Sequence, residues 1–118
     1  MLSEEALIDR FFAALGATRR DVALGVGDDG AVLEPPPGQQ LVAVVDTLNE
    51  GVHFPPGTPP AALGHRLLAV NLSDLAAMGA CPAWATLSLS LPVPEEAWLV
   101  EFARGLGALA EQYEVSVV

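Results

Sequence analysis

Residues 63–92 read LGHRLLAVNLSDLAAMGACPAWATLSLSLP, and they contain the change from helix to strand that decides the fold. Apolar residues at three- and four-residue spacing predict a helix over 61–80, which Gly79 and Pro82 end. Residues 84–91 then alternate Trp, Thr, Ser and Ser with Ala and Leu, which predicts a half-buried strand. A long helix followed directly by a strand is the unit around which we arrange the other elements.

Outward from this unit, the same patterns predict five more elements: a helix over 3–16, strands over 31–33 and 41–47, a helix that begins at 95–96, and a strand that starts at 115. The run over 41–47, LVAVVDT, is apolar up to the residue before its aspartate and predicts a strand buried on both faces. The order α-β-β-α-β-α-β predicts an α+β fold, with a mixed or antiparallel sheet and helices on one face. Because the last predicted strand has only begun at VSVV, we expect a fragment of a longer protein.

The composition excludes several classes of protein. With 118 residues, 52% of them hydrophobic and 17% charged, the chain has the makeup of one globular domain and not of a disordered segment. No apolar run approaches the roughly 18 residues of a membrane-spanning helix. The single cysteine, Cys81, favours a reducing cytoplasm. Fifteen acids against five bases give a net charge of −10, which disfavours nucleic acid and anionic membranes as partners.

The identity of the basic residues excludes several reaction mechanisms. All five are arginine, and the chain has no lysine. This excludes a Walker-A lysine, a Schiff-base mechanism and a lysine general base. If the domain handles phosphate groups, a divalent metal held by carboxylates is the obvious source of positive charge.

Two of the candidate sites are aspartates next to glycine-rich or apolar segments. Asp28 and Asp29 lie in GVGDDG, residues 25–30, which is either a metal–phosphate loop or a tight turn closed by side-chain hydrogen bonds. Asp46 follows five apolar residues, 41–45. If it is buried, its carboxylate needs a partner or a metal; if it stands at the strand end, it is hydrated and caps a loop.

The other candidates lie in the long helix and in the loop before it. Asn71 and Asp74 share one helix face, and in an apolar helix this pair favours a lined cavity or a metal site over an exposed edge. His53 comes seven residues after Asp46, so it either reaches the same site or is a half-buried structural residue. Carboxylates without a cluster of soft ligands favour magnesium with phosphates over zinc.

Three segments carry a resemblance to a known family: GVGDDGAVL at 25–33, VVDTLNEGVHF at 44–54 and the stretch at 63–92. In this order they resemble the thiamine-monophosphate kinases and, more broadly, the N-terminal domain of the aminoimidazole ribonucleotide synthetase superfamily. The resemblance implies direct transfer of the γ-phosphoryl group of ATP to thiamine monophosphate, giving thiamine diphosphate and ADP. It also implies a ferredoxin-like α+β domain that forms a homodimer through its sheet, and a separate C-terminal α/β domain.

The resemblance further implies roles for single residues. Asp29, Asp46 and Asp74 match the family's metal ligands, with Mg²⁺ as the metal. His53 matches a position that contacts the substrate, and Asp28 belongs to the same motif as Asp29.

Two features depart from the family pattern. Members commonly carry hydroxyl residues just before the central aspartate, whereas this chain has Val44 and Val45, so that only backbone carbonyls could serve there. Members also continue past the final strand into a segment that contacts ATP. We therefore expect residues 1–118 to be an N-terminal ATP- and Mg²⁺-binding and dimerisation domain that is inactive alone. The alternatives are another ATP enzyme of the superfamily, similar to selenophosphate synthetase or to hydrogenase-maturation enzymes, or a non-catalytic dimerisation module.

Overall fold

The computed structural model describes all 118 residues and has three helices and four short strands. In chain order they are α1 (Glu4–Phe11), β1 (Val22–Leu24), β2 (Val32–Leu33), α2 (Pro60–Ala77), β3 (Trp84–Ala85), α3 (Glu96–Gln112) and β4 (Ser116–Val117). The α+β class is confirmed. None of the three helices has the length and apolar character that crossing a membrane would require.

Helix α3 supplies most of the core. Its apolar residues recur every three or four positions and so share one face, and four of them are buried: Leu99, Phe102, Leu106 and Leu109. The ring of Phe102 stacks on Trp98, with 4.9 Å between ring centroids. It also meets Phe12, which follows α1, edge-on at 6.5 Å. The contact with Phe12 attaches the N-terminal part of the chain to α3.

Helices α2 and α3 touch through their backbones, because each has a glycine where they cross. A Cβ added at Gly64 of α2 would overlap the carbonyl oxygen of Phe102 and lie 2.9 Å from the amide nitrogen of Leu106. A Cβ added at Gly105 of α3 would overlap the backbone of Ala61. Larger residues at either position would therefore push the helices apart.

The strands form two separate two-stranded sheets. β1 pairs antiparallel with β2, with Val22 opposite Leu33. β3 pairs parallel with β4, with Trp84 opposite Ser116, and both residues of β4 are buried. Gly16, at φ 84°, bridges to Ser116 and brings the first part of the chain against the last. The structure thus has two small sheets in place of one mixed sheet, and the ferredoxin-like arrangement stays a prediction.

The predicted buried strand over 41–47 is wrong. Residues 34–59 contain no strand, only a single bridge between Glu50 and Phe54. Leu41 and Val45 are 66% and 89% exposed. A strand needs a neighbour to pair its backbone N–H and C=O groups, and this segment has none.

Two other predicted elements are shorter than expected. The first helix begins as predicted, because the Ser3 hydroxyl oxygen accepts a hydrogen bond from the amide of Ala6 at 3.2 Å, but it ends at Phe11. The strand predicted over 84–91 has two residues, since only Trp84 and Ala85 pair with β4. Residues 86–91 have no neighbouring strand to pair with.

Candidate functional site

The β1–β2 hairpin carries the loop with Asp28 and Asp29. Gly27 in this loop has φ 125°, a conformation that residues with a side chain rarely adopt. The Asp28 Oδ1 accepts a hydrogen bond from the amide of Asp29 at 2.8 Å, and both carboxylates are exposed. The loop is therefore a tight turn with a local side-chain bond, and its carboxylates face solvent.

Asp46 is exposed, because the stretch over 41–47 is not a buried strand. Its Oδ1 accepts a hydrogen bond from the amide of Thr47 at 2.9 Å. The preceding residues differ, because Val45 is fully at the surface whereas Val44 is half-buried. Of the two interpretations of Asp46, the hydrated one describes this structure.

The turn over 49–54 fixes the imidazole of His53. Its Nδ1 accepts a hydrogen bond from the amide of Asn49 at 2.9 Å, and Gly51, at φ 79°, donates its amide to the carbonyl of Phe54 at 2.8 Å. Because Nδ1 accepts a hydrogen bond, the neutral ring carries its proton on Nε2. His53 is exposed, so the expectation of a half-buried residue is wrong, and its Nε2–H is free to donate.

Asp74 and Asn71 lie on α2 as predicted, but in different surroundings. Asn71 is half-buried, and its Nδ2 donates to the carbonyl of Leu67 at 2.8 Å, one turn earlier in the same helix. Asp74 is exposed near the end of the helix. On this face of α2, the side-chain amide of Asn71 is hydrogen-bonded within the helix, whereas the carboxylate of Asp74 is exposed and in no ion pair.

None of the candidate aspartates is in an ion pair. The three ion pairs of the chain join arginines to other acids: Arg10 to Glu96, Arg19 to Asp21, and Arg104 to Glu101. The candidate carboxylates are therefore free oxygen donors of the kind that a hard divalent cation prefers.

The structure does not gather these donors into one cluster. Nowhere do three or more His, Cys, Asp or Glu side chains come close enough together to hold a metal ion. Asp29, Asp46 and Asp74 come from the hairpin loop, the exposed segment and α2, respectively. Their assignment as a shared set of metal ligands stays a prediction.

Sequence reasoning missed the most enclosed of the three ion pairs, which belongs to the Arg19 cluster: Arg19, Asp21 and Trp84. Arg19 binds both carboxylate oxygens of Asp21, from Nε to Oδ1 at 2.9 Å and from Nη2 to Oδ2 at 2.6 Å. The indole N–H of Trp84 donates to the same Oδ1 at 3.0 Å. The hydrogen bond from Arg19 holds the pKa of Asp21 below its ordinary value, and that from Trp84 adds to this effect, while partial burial opposes it. Only the Arg-x-Asp spacing before the hairpin could have indicated this cluster.

The chain is similar to proteins of known activity. It is 50% identical over 115 residues to a thiamine-monophosphate kinase from Escherichia coli and 46% identical over 119 residues to one from Synechococcus elongatus. These matches cover 98% and 99% of this chain but 35% of each relative, so the chain spans about a third of the length of the curated relatives it matches.

A solved structure and a family model agree with these relatives. The crystal structure of thiamine-monophosphate kinase from Stenotrophomonas maltophilia matches with a TM-score of 0.83 and 52% identity, over 99% of this chain and 37% of that chain. The family model described as AIR synthase related protein, N-terminal domain, matches residues 27–118. Because that match includes the hairpin loop, both longer helices and β4, this chain belongs to the family of AIR synthase related proteins, as their N-terminal domain.

Proposed function

We propose that the chain is the N-terminal nucleotide-binding domain of a thiamine-monophosphate kinase. In this reaction an oxygen of the phosphate of thiamine monophosphate bonds to the γ-phosphorus of ATP. The bond from that phosphorus to the bridging oxygen breaks, giving thiamine diphosphate and ADP. The observation that carries the proposal is the 50% identity to a kinase of this name over 98% of the chain.

We propose Mg²⁺ as the metal of this domain, with Asp29, Asp46 and Asp74 as its ligands and Asp28 beside them. The support is that their carboxylates are exposed and unpaired, whereas Arg10, Arg19 and Arg104 are paired with other acids. Mg²⁺ is usually bound by one or two carboxylates, with phosphate oxygens and waters completing the octahedron, so a preassembled group of three is not required. When bound, the metal would neutralise charge on the phosphate oxygens.

The residues of the chain itself would orient the substrates. With a net charge of −10, the protein repels an anionic substrate unless that charge is countered locally. His53 offers a neutral Nε2–H donor held in place by Asn49, which suits a phosphate oxygen. We propose that this N–H contacts the phosphate of thiamine monophosphate. Val45 would contribute only its backbone carbonyl near Asp46.

Isothermal titration of Mg-ATP into the full-length protein tests the metal assignment. Asp46→Asn keeps the shape of the side chain and removes its charge, and we expect Mg-ATP to bind at least about tenfold more weakly. Asp9→Asn is the matched control, because Asp9 is an exposed acid of α1 in no ion pair. Unchanged binding and turnover in Asp46→Asn would overturn the role of Asp46. Failure of the wild-type protein to phosphorylate thiamine monophosphate would favour another ATP enzyme of the family.

A dimerisation role is a second candidate, and the exposed apolar run LVAVV at 41–45 favours it. Such a run has unpaired backbone groups and side chains that gain by being covered. We propose a homodimer in which this segment pairs with the partner copy. Val45→Lys should shift the protein toward the monomer in light scattering, whereas Val100→Lys, at an exposed site of α3, should not. A monomeric wild-type protein would contradict this proposal.

A further inference from the structure

The β1–β2 hairpin has little apolar packing to hold it against the rest of the fold. None of its residues is buried, and Leu24 and Val32 are 41% and 52% exposed. A two-stranded hairpin is at best marginally stable by itself in water. The direction in which this hairpin points therefore depends on how its base is attached.

The Arg19 cluster attaches that base. Asp21 directly precedes β1, and its carbonyl accepts a hydrogen bond from the amide of Glu34, directly after β2, at 2.7 Å. The Asp21 carboxylate is bound by Arg19 and by Trp84 of β3. Arg19 also donates from Nη1 to the carbonyl of Glu114, between α3 and β4, at 3.0 Å. One carboxylate thus connects the hairpin to the parallel sheet and to the end of α3.

The loop at the other end of the hairpin amplifies any movement at this base. Three strand residues separate Asp21 from the loop, a length of about 10 Å. A rotation of about 10° at the base would carry Asp28 and Asp29 by about 2 Å, and misplacement by about 1 Å can cost a hundredfold in rate at a reacting centre.

We infer that Asp21 is a positioning residue: together with Arg19 and Trp84, it fixes the direction in which the hairpin presents Asp28 and Asp29. The inference rests on the proposed role of that loop in binding Mg-ATP. Opening of the hairpin can nevertheless be measured without any ligand, so the two proposals can fail separately.

Hydrogen exchange of the full-length protein without ligand is the first measurement. Asp21→Asn removes the charge, and Trp84→Phe removes the indole N–H while keeping an aromatic ring. Losing a hydrogen bond to a charged group should speed amide exchange in β1, in β2 and at Glu34 by about tenfold, because these amides are hydrogen-bonded within the hairpin, with exchange in α3 unchanged. Glu101→Gln is the control, because it breaks an exposed arginine pair far along the chain from the hairpin. Unchanged exchange in β1, in β2 and at Glu34, or equal acceleration in α3, would overturn the inference.

The second measurement is the affinity for Mg-ATP in the same variants. We expect the Kd for Mg-ATP, measured by isothermal titration, to rise by about tenfold in Asp21→Asn and to stay near the wild-type value in Glu101→Gln. Faster exchange in the hairpin strands with unchanged affinity would overturn the positioning role. If the wild-type protein itself does not bind Mg-ATP, the proposed function fails, and the exchange measurement alone decides whether the cluster fixes the loop.

Discussion

Replacing Gly64 with alanine perturbs the helix contact on which the core depends. The added Cβ would overlap the carbonyl oxygen of Phe102 and stand 2.9 Å from the amide nitrogen of Leu106. A carbon atom approaches a carbonyl oxygen to about 3.3 Å, so α2 and α3 must separate by on the order of 1 Å. No rotamer change relieves the overlap, because both partner atoms belong to the backbone of α3.

The expected change in the free energy of unfolding of Gly64→Ala is the sum of two opposing effects. Over-packing costs about 1–3 kcal/mol, and the upper end applies here because a gap of about 1 Å also weakens the dispersion contacts along the whole crossing. The better helix propensity of alanine returns about 1 kcal/mol. We therefore expect Gly64→Ala to lower the free energy of unfolding by about 2 kcal/mol, which is a drop in Tm of about 8 °C for a domain of this size.

Urea unfolding followed by far-UV circular dichroism measures this change. Gly107→Ala is the matched control, because its Cβ would lie 2.6 Å from the Cδ1 of Leu15, the flexible end of a side chain that can turn away. The control gains the same helix propensity without a backbone overlap, so we expect its stability to stay near that of the wild type. Equal stability of Gly64→Ala and Gly107→Ala would refute the backbone contact between the helices.

Three further predictions concern the core, the Arg19 cluster and the first helix. Phe102→Ala removes a ring that is 1% exposed and should cost about 3–5 kcal/mol in urea unfolding, with altered fluorescence of the stacked Trp98. Because the hydrogen bond from Arg19 lowers the pKa of Asp21 from 3.8, this pair stabilises the fold above that pH and loses its effect as pH falls through the folded-state pKa. The stability gap between Asp21→Asn and the wild type should therefore be present at neutral pH and close in strong acid. Ser3→Ala should cost about 1 kcal/mol at most, seen as lower helicity with the same core fluorescence.

The helices could be predicted from the sequence because their signals are local. Leu99, Phe102 and Leu106 repeat at helix spacing, and the structure places all three in the core. The expected helix over 61–80 is observed as Pro60–Ala77. Its glycine contact with α3 could not be predicted, since a pattern within one helix does not say which backbone will lie against it.

The strands were harder to predict because a strand is defined by its partner. The run at 41–47 has the composition of a buried strand, yet no neighbour pairs with it in this chain. β1 was missed for the converse reason: Val22–Leu24 is short and ordinary, and its pairing with β2 creates it.

The candidate site shows the same difference between local signals, which the sequence carries, and long-range contacts, which it does not. Sequence reasoning singled out Asp28, Asp46 and Asp74 because paired carboxylates in a glycine-rich loop and acids in apolar runs can hold a metal, and that role stays a prediction. It missed Asp21, whose partner Trp84 lies 63 residues further along the chain. Contacts of that range depend on the whole fold and leave no spacing signal.

The contact of residues 12–16 with residues 102–116 has a consequence for biosynthesis. Phe12 packs on Phe102, and Gly16 bridges to Ser116, so the core of this domain cannot close until residues 102–116 have been made. About 100 residues separate these partners. At ribosomal speeds of about 5–20 residues per second, the first helix waits roughly 5–20 s for its partner. During that time the apolar residues of the nascent polypeptide lie open, which makes it a natural client for chaperones that hold unfinished chains.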